Sequence, residues 1–190
     1  MLKRVFDFVV AALLVVPALL ILIPAALAVR LETAGSPILL QTRVGRNRQP
    51  FRLIKLRTMH VDTAIGASHE VGTSSITCVG GVLRRFKIDE LPQLWSVLTG
   101  AMSLVGPRPC LPMQSELIEA RERLGVFAIR PGITGRAQVM GIDMSQPPRL
   151  AEIDGSYVRD RSFGEDLRII LKTITGKGFY DAADTPAGDG

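Results

Sequence analysis

Cysteine, histidine, lysine and aromatic residues are all scarce in this chain, and each scarcity removes a class of function. Cys78 and Cys110 are the two cysteines and His60 and His69 the two histidines among 190 residues, without CxxC or Cys/His companions. No disulfide framework and no thiolate or imidazole metal site is suggested, and the histidines read as surface residues. Aromatics make up 5% of the chain, with no helix-turn-helix, zinc-finger or RNA-binding signature, so the net charge of +5 does not point to nucleic acid. Of the 23 basic residues, 18 are arginine and 5 lysine. A planar guanidinium binds phosphate oxygens two at a time, so this bias favours phosphate or anionic-lipid partners. With 47% hydrophobic and 22% charged residues the chain leans toward membrane association, and its length suits one domain with a real core.

What is present begins with an apolar run of 22 residues, Phe8 to Val29, long enough to cross a bilayer as a helix. Three readings compete. Lys3 and Arg4 before the run and Ala26-Leu27-Ala28 near its end imitate a secretory signal with cleavage after Ala28, although a signal core is only roughly 7–15 residues. A plain transmembrane anchor is the simplest alternative. Against it, Pro17 and Pro24 break backbone hydrogen bonds and invite a kink. Basic residues also flank both ends, Lys3 and Arg4 before, Arg30, Arg43, Arg46 and Arg48 after, so both ends prefer the cytoplasm. A helix bent at proline, entering and leaving by one face, satisfies that preference.

The second signal lies between Leu83 and Pro109, LRRFKIDELPQLWSVLTGAMSLVGPRP. The adjacent Asp89 and Glu90 offer an oxygen nucleophile and hard ligands for Mg²⁺, while Arg84, Arg85 and Arg108 offer phosphate-binding forks. From Glu90 the residues Leu91, Leu94, Trp95 and Leu98 form one helical stripe, with Pro92 in the first turn and Gly100 as the stop. Asp89 then falls at or beside the N-cap, where free N–H groups favour a carboxylate or a bound phosphate. A pure capping role satisfies the same position.

Elsewhere, Pro37 to Val44 and Phe51 to Thr58 read as a β-hairpin around a Gly45-to-Pro50 turn, its second arm ending in Lys55 and Arg57. His60 to Gly81, rich in Gly, Ser and Thr, reads as a mobile connection or lid. Val105 to Pro109 and Arg130 to Gly135 read as rigid loops. Helices are expected over Met113 to Gly125, Arg149 to Tyr157 and Asp166 to Thr175, before a disordered tail, Asp181 to Gly190. The fold class is α+β, mostly α.

The segments FDFVVAALL, QTRVGRNRQPFRLIKLRTM, RRFKIDELPQLWSVLTGAMSLVGPRP, RPGITGRAQV and YVRDRSFGEDLRIILKT, in this order, resemble the bacterial sugar transferases, in particular the small monotopic polyprenol-phosphate phosphoglycosyl transferases. The resemblance implies a re-entrant membrane helix over residues 1–30, a cytosolic catalytic domain with interfacial amphipathic helices over 31–178, and a disordered tail over 179–190. It implies transfer of a sugar-1-phosphate from a UDP-sugar to undecaprenyl phosphate with release of UMP, at the cytoplasmic face of the bacterial inner membrane. Asp89 is then the nucleophile, carrying a covalent phosphosugar, and Glu90 supports Mg²⁺. Lys55, Arg57, Arg84, Arg108 and, on the nucleotide side, Arg130 are candidate phosphate binders. Asp166 matches a late acidic position of the family, or caps the last helix. The chain departs from the family's usual residues at Phe86, Lys87, Ala101, Arg136, Met140 and Ile142, and Pro17 follows valine where serine is usual. A non-enzymatic adaptor, its arginines binding lipid headgroups, is the alternative from another class.

Overall fold

The apolar run forms most of one helix, α1 (Leu2–Glu32, 31 residues), in a computed structural model that describes residues 2–61 and 75–176. Pro17 and Pro24 lie inside it. At 1.5 Å per residue α1 is about 45 Å long. Asp7, Ala11, Ala18 and Val29 are its buried residues, spaced by whole helical turns, while Leu13, Leu20, Ile23 and Leu31 are exposed on the rest of its surface. The small Ala11 and Ala18 allow close packing against α3 (Gln93–Thr99). Cleavage after Ala28 would strip both alanines from the main core, so α1 is built in rather than detachable.

Both ends of α1 are tied to the same globular body. At its start Lys3 Nζ lies 2.7 Å from Asp166, and Arg4 donates to Val97 O (2.6 Å) and Leu98 O (3.1 Å), closing the C-terminal end of α3. At its end the Glu32 carboxylate accepts from Val79 N (3.2 Å), and Arg57 donates to Thr33 O (3.1 Å) and Oγ1 (2.7 Å). Two of the flanking charges expected to set topology, Lys3 and Arg4, therefore hold protein rather than headgroups.

The hairpin forms as expected. β1 (Ile38–Val44) and β2 (Pro50–Leu56) pair antiparallel from Ile38↔Leu56 to Val44↔Pro50. α2 (Cys78–Arg85) begins inside the stretch expected to be a mobile connection, because Thr77 caps it by accepting from Gly80 N (2.9 Å). Most of that connection, with His69, and the tail lie outside the described residues.

α3 is shorter than the stripe predicts. Leu91, Leu94 and Leu98 pack into the core, but Trp95 is 58% exposed and Val97 is buried instead. Gly100, at φ 88°, ends the helix as expected. The two rigid loops turn out to flank a parallel pair, β3 (Ser103–Val105) and β4 (Gly132–Thr134). Only glycine permits this approach, since a Cβ on Gly132 would collide with Gly106 N. Helices α4 (Ser115–Arg123), α5 (Arg136–Val139), α6 (Pro147–Asp160) and α7 (Phe163–Ile174) complete a mostly helical fold with two small sheets.

Candidate active site

The four residues of the Gly-Pro-Arg-Pro corner and Cys110 after them are each held by a separate hydrogen bond. Gly106 N donates to Thr134 O (2.9 Å), Pro107 O accepts from Gly132 N (3.0 Å), and Arg108 O accepts from Arg121 Nη1 (2.9 Å). Pro109 O accepts from Arg43 Nη1 (3.0 Å), and Cys110 O from Val44 N (3.0 Å). With φ also fixed at two prolines, the corner has almost no freedom left. It delivers the Arg108 side chain to Glu90, Nη2 to Oε1 at 2.7 Å.

Asp89 and Glu90 are each 7% exposed and lie in a short 3₁₀ turn, Ile88–Glu90, that precedes α3. Lys87, left-handed at φ 55°, sets the entry to this turn. The expected N-cap role is not realised: neither the turn nor α3 carries a side-chain cap, and Pro92 stands at the start of α3. The dyad is thus buried charge without the structural job that capping would give it.

Cations converge on it. Lys55, from β2, has its ammonium pulled down to about 8, first by burial and then by repulsion from Arg43 and Arg108, with Asp89 opposing the shift. Arg84 reaches the cluster because Gly80, one turn earlier, lets α2 press onto the Thr58 backbone. Its Nε donates to Thr58 Oγ1 (2.9 Å), while its buried Nη1 makes no hydrogen bond among the described residues. A buried guanidinium donor left without an acceptor is costly, and a phosphate oxygen relieves that cost.

Asp89, Glu90, Lys55, Arg84 and Arg108 therefore come together. The other three candidates do not join them. Arg57 donates through Nη2 to Thr33 at the end of α1, while its buried Nε makes no hydrogen bond among the described residues. Arg130 donates to Gly100 O (2.7 Å), and with Asp166 it lines a separate cavity of ≈ 420 Å³ at the start of α1. Asp166 is ion-paired with Lys3 and accepts from Tyr157 Oη (2.5 Å), whereas Ser162 caps α7 by accepting from Glu165 N. Arg85 is also outside the cluster, 5.9 Å from the Phe86 ring.

Residues 1–177 match the family described as bacterial sugar transferase. The chain belongs to that family. A UDP-glucose:undecaprenyl-phosphate glucose-1-phosphate transferase of Caulobacter vibrioides is 42% identical to it over 90% of this chain and 68% of its own length. A protein of the same name from Escherichia coli is 36% identical over 96% of this chain, which spans 41% of that relative. An exopolysaccharide production protein of Rhizobium leguminosarum is 37% identical over 94% of this chain and 98% of its own. In this sugar transferase, two of the motif segments that carried the resemblance, around Gly106 and around Gly132, meet as β3 and β4 and build the corner.

Three residues that support the site escape a reading of the sequence. Arg43 is buried and grips Pro109. Arg121, 1% exposed, is itself clamped by Asp154 Oδ2 through Nε (3.0 Å) and Nη2 (2.6 Å). A signal existed for this pair, since Asp154 interrupts the apolar stripe Leu150, Ala151, Tyr157 of α6, and an acid there needs a buried partner.

Among the described residues no three or more His, Cys, Asp or Glu side chains gather as metal ligands, leaving the two adjacent carboxylates. That set fits Mg²⁺, which takes one or two carboxylates and completes its shell with water and substrate phosphates.

Proposed function

We propose that this sugar transferase moves a sugar-1-phosphate from a UDP-sugar to undecaprenyl phosphate, releasing UMP, by way of a phosphosugar carried on Asp89. The observation that carries the reading is a buried carboxylate pair facing Lys55, Arg84 and Arg108, with the Arg84 Nη1 donor still available. The names of the Caulobacter and Escherichia coli relatives support the two substrates.

An Asp89 oxygen attacks the β-phosphorus, and the bond from that phosphorus to the bridging oxygen breaks, its electron pair leaving with UMP. An oxygen of the lipid phosphate then attacks the same phosphorus and Asp89 departs as a carboxylate. The attacking phosphate is already anionic near neutral pH, so neither step demands a general base. Glu90, fixed by Arg108, serves positioning rather than proton transfer. Lys55, Arg84 and Arg108 stabilise the charge that builds on the transferred group and on the leaving oxygen. Asp89 and Glu90 would hold Mg²⁺, which would supply neutralisation of charge on the diphosphate. Two displacements let a soluble donor and a lipid acceptor use one site in turn.

The proposal extends to the membrane: the fastening of both ends of α1 to one globular body supports a helix that enters and leaves through one leaflet, and the basic residues flanking it support a cytoplasmic site. Residues 1–30 form the re-entrant segment and 31–178 the catalytic domain. The adaptor alternative does not account for Arg43, Arg84 and Arg121, which are buried rather than offered to headgroups. The test is UMP release from a panel of UDP-sugars. Without acceptor, a burst equal to the enzyme concentration and a mass gain of one sugar phosphate are expected; with undecaprenyl phosphate, sustained turnover. Full turnover in Asp89→Asn, or with magnesium chelated, sinks the mechanism.

A further inference from the structure

Glu90 also lines a cavity of ≈ 300 Å³ that the two displacements leave unexplained. Its walls include Val10 and Leu14 of α1, Leu94 of α3, Ile133 of β4, and Ile170 and Ile174 of α7. Its two threonines, Thr134 and Thr173, satisfy each other through a 2.7 Å hydroxyl contact, and Gln138 donates to Ile133 O (3.2 Å) while its buried Oε1 makes no hydrogen bond among the described residues. None of the site's arginines reaches it, and its charged residues are Glu90 and Lys87. Leu14 and Ile174, which line the same cavity, are 46% and 73% exposed on the apolar outer surfaces of α1 and α7. The cavity therefore joins Glu90 of the dyad to the exposed apolar surface of α1 and α7.

A nucleotide sugar has no chemistry to match such walls, whereas a prenyl chain does. Resting on the proposed reaction, the geometry points to a second substrate channel: this cavity receives the isoprene units nearest the acceptor phosphate. The chain enters between α1 and α7, and its phosphate stops at the Glu90 and Lys87 end. The volume lies at the low end of the about 300–1,000 Å³ usual for ligand clefts, so only the first part of the chain is held and the rest stays in the bilayer. Donor and acceptor then approach Asp89 from different sides, one along cations and one along apolar wall.

The test uses the full chain in phosphatidylglycerol nanodiscs and a diazirine-bearing polyprenyl phosphate, with labelled residues mapped by peptide mass. Labelling on α1 around Leu14 and on α7 around Ile174, displaced by undecaprenyl phosphate, is expected. Labelling elsewhere, or equal displacement by a phospholipid, overturns the assignment, and this readout does not depend on turnover. Ile170→Trp and the exposed Leu14→Trp narrow the cavity from two sides. Each is expected to raise the acceptor KM about tenfold for a long prenyl phosphate and less for a short one. The donor-only UMP burst stays unchanged. Unaltered acceptor KM and chain-length preference in both folded variants also overturns it. If the unmodified protein gives no burst with any donor while the labelling pattern holds, the proposed reaction fails and the lipid channel stands.

Discussion

Two clusters of buried carboxylates and cations have opposite fates in this fold. At the start of α1, Asp166 is taken by Lys3 and Tyr157, and Asp7 accepts from Ser103 Oγ (2.7 Å) with Lys3 at 3.6 Å. At the dyad, Asp89 and Glu90 face more cationic capacity than they consume, and one buried Arg84 donor stays unspent. The first arrangement is a clasp that fastens α1 to α6, α7 and β3. The second is, in the proposed reaction, a receptor for an anion. Burial and a nearby opposite charge are common to both, so neither property marks a site. Both also hold buried atoms short of a hydrogen bond; at the clasp these, Lys3 Nζ and Asp7 Oδ1, lie in one ion pair, whereas at the dyad Arg84 Nη1 is a cationic donor suited to a phosphate oxygen.

The largest expected effect breaks the comparison at the dyad. Asp89→Asn should cut UMP release by about 10⁴-fold or more, as loss of a nucleophile does, while thermal melting shows an intact fold. Asp166→Asn should do the reverse. The amide oxygen still accepts from Tyr157, so the loss is the charge that Lys3 pairs with, about 1–2 kcal/mol after discounting for the partial exposure of Lys3, and turnover per folded molecule is unchanged. Denaturant titration beside an activity assay reads both quantities. If Asp166→Asn loses turnover at full stability, Asp166 belongs to the chemistry and the distinction between clasp and receptor collapses.

This contrast also explains what the sequence could and could not reveal. The apolar run, the hairpin and the Gly100 stop follow local rules of periodicity, turn chemistry and backbone freedom, and each appears where those rules put it. The dyad, Lys55, Arg84 and Arg108 were legible because type and spacing already suit phosphate. Arg57, Arg130 and Asp166 carried the same chemical promise, but their partners, Thr33, Gly100 and Lys3, are set by tertiary packing that no local pattern encodes. The β3–β4 pair was hidden for a similar reason. Three residues per strand give no period, and what makes them strands is the contact between two glycine-bearing loops distant in sequence.

A smaller effect sharpens how the receptor keeps its shape. Asp154→Asn removes the ionic clamp on Arg121, which in turn holds the Arg108 carbonyl. Stability should fall by about 1–3 kcal/mol. Arg108 loses its fixed origin, and turnover should drop about 30-fold, as small misplacements do, with the donor KM little changed. Steady-state kinetics on the folded fraction separates this from simple loss of protein. An unchanged turnover would show that the proline-fixed backbone holds the corner unaided.

The smallest effect concerns pH, where the receptor's surplus of cations makes its own charge labile. Lys55 is pushed down to about 8 in the folded protein, against an ordinary 10.5, because burial and three arginines, Arg43, Arg108 and Arg84, disfavour its proton. In the free enzyme Lys55 is cationic below about 8 and neutral above it. The donor kcat/KM, which reports the free enzyme, should therefore fall about fivefold between roughly pH 7 and 9. Stability moves the other way. An unfolded chain keeps the proton up to about 10.5, so from about 8 to 10.5 it binds more protons than the fold, and this residue's contribution to stability rises with pH. Activity falling while stability rises over one interval is a signature that general alkaline unfolding cannot imitate. Lys55→Arg, whose guanidinium stays charged throughout, should extend the kcat/KM plateau past this range. An alkaline limb that stays near 8 in that variant places the titrating group elsewhere in the site.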